Sequence, residues 1–136
     1  EGNESSIAFK ADGTALCYLR GGHVIGQYLP LYTNWKWADT RDVGGPKLFG
    51  LPDGQYILGG RGGQWGEMKL FEIDPDTGEF HELIELPATF DSSYPGIVYH
   101  EGLLWVSYYT SSDGATVGGR YRVPTEIRLA KIKLSE

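Results

Sequence analysis

The chain has 136 residues, enough for about one domain with a buried core. Its 40% hydrophobic and 22% charged residues exclude a disordered segment, and twelve basic against eighteen acidic residues (net charge -6) exclude a general binder of nucleic acid or anionic membrane, since both need a positive field. One cysteine excludes an internal disulfide and a multi-thiolate metal site, and no apolar run approaches the ~18 residues of a membrane span.

Twenty glycines and eighteen aromatics against one methionine favour strands and tight turns, and no long window carries the apolar spacing of a capped helix. The predicted fold class is all-β. In chain order, Glu4 to Gly13 and Thr14 to Arg20 form a first hairpin, with His23 to Leu29 and Trp35 to Thr40 as outer strands. Gly45 to Gly54 and Gln55 to Arg61 form a second hairpin. Met68 to Ile73 and Phe80 to Leu86 follow, on either side of the turn Asp74-Pro-Asp-Thr-Gly78. Ser93 to Gly102 and Leu103 to Tyr109 form a third, and Glu126 to Leu134 adds one strand with no fourth after it. The pairs Asp12-Gly13, Asp53-Gly54 and Glu101-Gly102 supply the turns.

The three turn glycines are 41 and 48 residues apart, the period of β-propeller blades. The expected organisation is three blades at about 4–42, 43–87 and 88–136, the last short of its outer strand, or half of a six-bladed propeller. Each blade packs both faces on neighbours, so an arc of three leaves two apolar faces in water. Two arrangements cover them: a homodimer about a two-fold axis, completing six blades, or the other half of a longer chain. The start at Glu1, without a methionine, fits a processed form or an excised segment.

The hairpins also place a site. Arg20, Arg61 and Tyr109 each stand seven residues after their turn glycine, and Glu4, Gly45 and Ser93 nine before, with Tyr94 next to Ser93. Descending and returning strands of that length bring Glu4, Arg20, Arg61, Tyr94 and Tyr109 to one rim of the central channel. A glutamate, two guanidiniums and two phenols around a concave mouth suit a small polar ligand, and sugar rings rest on aromatic faces.

The residues also carry a family resemblance. Glu4 to Gly13 ending in Arg20, then Gly44-Gly-Pro-Lys-Leu48 with Leu51-Pro-Asp-Gly54 and Gly60-Arg61, then Asp91-Ser-Ser-Tyr-Pro-Gly96 with Gly102 to Tyr109, and last Ile127 to Ile132, together resemble the C-terminal half of the exo-α-sialidase-like six-bladed propellers. The resemblance implies a sugar pocket on the propeller axis, an arginine triad, a Tyr–Glu nucleophile pair and an aspartic acid/base. By position, Glu4 matches the glutamate, Tyr94 the tyrosine and Arg20 the second arginine. The third arginine would fall near Gly45-Pro46-Lys47, where none stands, and the first arginine and the aspartic acid belong to the other half.

In that chemistry Glu4 removes the proton of Tyr94, whose phenol is otherwise a weak nucleophile at neutral pH, and Arg20 with Arg61 clamps an anion. The expected function is a sialidase-like half-propeller with an axial sugar mouth, hydrolysing glycosides only when a partner half completes it. The alternative is a non-catalytic self-assembling propeller fragment, a carbohydrate-binding or scaffold protein. No cofactor is expected, and His23, His81 and His100 lack metal-ligand spacing. Cys17 reads as a small buried hydrophobe, Gly59 to Gly63 lacks the context of a phosphate loop, and Gly118 to Arg122 reads as a solvated loop.

Overall fold

Short runs of Val, Ile, Leu and aromatic residues between Asp, Gly and Pro turns fold into antiparallel hairpins, seen here in a computed structural model that describes residues 2–22, 24–63, 67–111, 116–117, 120–121 and 124–134. The first sheet takes β1 (Glu4–Phe9), β2 (Ala15–Arg20), β3 (Val24–Tyr28) and β4 (Lys36–Asp39) in that order. The second takes β5 (Gly44–Gly50), β6 (Tyr56–Arg61), β7 (Met68–Ile73) and β8 (Phe80–Leu86) in the same order. In the third, β9 (Ser92–His100) and β10 (Leu103–Ser111) precede a small separate hairpin, β11 (Thr116–Val117) with β12 (Arg120–Tyr121). There β13 (Thr125–Lys133) then pairs with β10. There is no helix among the described residues. Strand β1 packs beside β5 and β5 beside β9, so the first strand of each sheet is innermost. Among the described residues the architecture is three β-propeller blades, the third with three strands. His23 and most of the loop 118–122 lie outside the described residues.

The turns differ more than their shared glycine suggests. In the first two blades a five-residue loop closes the hairpin, and an aspartate holds it: Asp12 Oδ1 accepts the Thr14 N–H at 2.9 Å, and Asp53 Oδ1 accepts the Gln55 N–H at 3.0 Å. In the third, His100 pairs directly with Leu103, and Glu101 and Gly102 both take positive φ (51° and 77°), a two-residue turn. Counted by pairing, the equivalent residues are therefore Ile7–Cys17, Leu48–Leu58 and Ile97–Val106.

Two cores result, one between each pair of blades. Leu16, Tyr18 and Ile25 of the first blade pack on Val43, Leu48, Leu58, Phe71 and Ile73 of the second. On its other face, Ile57, Met68, Leu70 and Leu86 pack on Ile97, Leu104, Val106 and Tyr108 of the third. Polar ties cross the same seams. The Tyr18 hydroxyl donates to Arg41 O (2.8 Å) and accepts from the Val43 N–H (2.7 Å), fixing the link into the second blade. Ser6 Oγ accepts the Leu48 N–H at 2.7 Å, and Tyr108 donates to Pro87 O at 2.7 Å.

The outward faces have no such cover. Leu48 and Ile97 are 1% and 5% exposed, but their first-blade equivalent Ile7 is 51% exposed, with Phe9 beside it. Trp37 lies over Gly26 on that face and stacks on Trp35. At the far end, Val98, Ile127 and Leu129 are exposed around Trp105, whose ring carries the Lys131 ammonium 4.2 Å from its centre.

Candidate functional site

The open ends of the three hairpins converge at one end of the arc. Cross-strand pairing sets Glu4 opposite Arg20, Gly44 opposite Arg61 and Ser93 opposite Tyr109. The second and third pairs each sit beside a register shift, between Gly44 and Lys47 and between Ser107 and Tyr109. Such bulges re-aim side chains at the rims of sheets. Here Tyr94 takes φ 48°, a left-handed conformation rare for an aromatic residue. Its ring is thereby thrown out of the strand, 61% exposed.

Glu4 is the hub. Its Oε1 accepts the Tyr94 hydroxyl at 2.5 Å, and its Oε2 accepts Arg20 Nη1 at 2.9 Å and the Gly45 N–H at 2.8 Å. One carboxylate thus joins the inner strands of all three blades. Its partial burial pushes the carboxyl up, but the phenol, the guanidinium and the backbone N–H together hold it below its ordinary value. The same contact, with some burial, raises Tyr94 above the usual phenol range, and Glu4 likewise raises Arg20.

Gly45 makes this convergence possible. It has φ +55°, and a Cβ there would lie 2.2 Å from Ser93 Oγ and 2.9 Å from the Tyr94 nitrogen. The Ser93 hydroxyl donates to the Gly44 carbonyl at the same spot. The absence of an arginine here therefore has a steric reason: the third blade occupies the space. Lys47 lies further along β5, opposite Gly59.

A second group continues the wall. Arg61 Nη1 donates to Asp91 Oδ1 at 2.8 Å, and the Asp91 carboxylate also lies near the Tyr109 phenol. Burial and that carboxylate raise the Tyr109 phenol far above its ordinary value. The rings of Tyr94 and Tyr109 stack, 6.3 Å apart at 21°. Asp91 is fixed by its backbone, where Phe90 N–H donates to Ser111 O (3.0 Å) and Ser111 N–H to Asp91 O (2.8 Å).

All five residues singled out in the sequence lie in this one wall. Two more belong to it: Asp91, and Asp42, whose Oδ1 is 3.6 Å from Arg20 Nε. Each follows a linker into a new blade, and the aspartate preceding Ser92-Ser93 was the signal available for the first. Among the described residues no group of three or more His, Cys, Asp or Glu could hold a metal ion. A cavity of about 740 Å³ lies at the turn end, lined by Leu51, Pro52, Tyr99, Lys133 and Leu134.

No protein-family model matches the chain, and no curated protein matches it. Among solved structures it is similar to an α-L-arabinofuranosidase from Clostridium thermocellum, at 16% identity and a TM-score of 0.53. The match covers 98% of this chain and 49% of that one. At that identity the likeness shows the fold alone: the chain consists of β-propeller blades and spans about half the length of that enzyme.

Proposed function

We propose that the chain is half of a carbohydrate-active propeller, with a sugar-binding mouth formed by Glu4, Arg20, Arg61, Tyr94 and Tyr109. The observation that carries the reading is the exposed Tyr94 ring, stacked on a half-buried Tyr109, beside a carboxylate that gathers all three inner strands. Aromatic faces receive the apolar side of a sugar ring, and the flanking charged groups supply acceptors and donors for its hydroxyls. The sialidase-like sequence pattern and the glycoside hydrolase neighbour support the same class.

Hydrolysis asks more of the site. Attack by the Tyr94 oxygen on an anomeric carbon forms one C–O bond, breaks the glycosidic one and passes the phenol proton to Glu4. The raised phenol and lowered carboxyl leave that proton on Tyr94 at rest, and the leaving oxygen needs an acid that a second copy of this wall does not add, since Glu4, Asp42 and Asp91 each face an arginine. Binding therefore precedes turnover in this reading. Fluorogenic aryl glycosides, a sialoside included, test it. Turnover lost in Tyr94→Phe gives a hydrolase. Binding without turnover, lost in Tyr109→Ala, gives a binding module. Neither binding nor turnover sinks both.

The completing half is a second copy of this chain. The face left open on the first blade is of the kind that meets a preceding blade, and the face open on the third is of the kind that meets a following one. A copy turned about the propeller axis joins each to the other, giving six blades.

A further inference from the structure

Five ionised groups form the wall of the mouth: carboxylates at Glu4, Asp42 and Asp91, and guanidiniums at Arg20 and Arg61. Neither guanidinium stands idle. Arg20 faces Glu4 at 2.9 Å and Asp42 at 3.6 Å, and Arg61 faces Asp91 at 2.8 Å. Their side chains are 19–39% exposed, so water screens them only in part. The wall carries one more negative charge than positive, within a chain of net charge -6.

We propose that the mouth selects an uncharged sugar over an acidic one. The inference rests on the reading of this wall as a sugar site. A ligand carboxylate has two ways to enter. It displaces Glu4 or Asp91 from its arginine and leaves a half-buried carboxylate without its partner, or it sits beside three carboxylates that outnumber the cations. Both are unfavourable. A hydroxyl has neither difficulty. Ionised carboxylates are pure acceptors with several lone pairs each, and vicinal diols donate to them without disturbing the arginine pairs. The stacked Tyr94 and Tyr109 rings serve a neutral ring equally well.

Isosteric pairs test the choice: galactose against galacturonate and glucose against glucuronate, with N-acetylneuraminic acid as a further acid, titrated into the full chain by NMR or calorimetry. The neutral member binds about tenfold tighter, the scale of one like charge at close range in a partly solvated site. Asp91→Asn, which removes one negative charge and keeps the shape, shifts that ratio towards the acid by a similar factor. Tighter binding of the acidic member, or a ratio unmoved by Asp91→Asn, overturns the inference and leaves the sugar reading standing. If no sugar of either kind binds, the sugar reading itself fails and the inference falls with it.

Discussion

At position 45 any side chain would drive into Ser93 and the Tyr94 backbone, and the contact it would break is the one joining Glu4 to Tyr94. That contact titrates from both sides. Glu4 is held below its ordinary 4.5, so the stability it contributes is present above that pH and is lost as pH falls through the lowered value. Tyr94 is held above 10.0, so its contribution is present below that pH and is lost as pH rises through the raised value. The contact is therefore at full strength across the neutral range and weakens at both extremes. Glu4→Gln removes the charge that the phenol faces. The Tyr94 ring, followed by NMR against pH, then titrates lower, towards 10; an unchanged midpoint would show that the pair does not form.

The seams between blades are held at the scale of single elements, and Tyr18 is the best example. Tyr18→Phe keeps the ring in its core and leaves the buried Val43 N–H without an acceptor, so urea denaturation should report a loss of about 1–3 kcal/mol. A ring change that costs nothing would mean the link finds another partner. The hairpins were legible because alternation, turn chemistry and a near-constant period agree, as at Met68–Ile73 and Phe80–Leu86, which the structure matches end to end. The third turn was less so: Glu101-Gly102 resembles the other acidic-glycine pairs in type, yet two positive φ values shorten the loop and shift the register. Asp91 and Asp42 were given no role because a linker carboxylate is ordinary in sequence. Only the return of β6 and β2 to the same rim supplies them with arginines.

For the whole molecule the open faces matter most. Ile7, Phe9 and Trp37 at one end and Val98, Ile127 and Leu129 at the other are exposed, and full burial of such side chains is worth about 1.5–3 kcal/mol each. Light scattering of the isolated chain should give close to twice 15.1 kDa, and Phe9→Glu or Leu129→Glu should return a folded monomer. A stable monomer before mutation would leave those faces to the blades of a longer chain.

The bond from Tyr94 to Glu4 leaps the middle blade, tying residues ninety positions apart. The bend of the arc and the width of its mouth are thus a single mechanical variable. Under the proposed function, a guest lodged against that tether would act on the angle at which the terminal faces are offered. A guest that favoured closure of a ring would then, by reciprocity, be held tighter by the same factor once the ring closed.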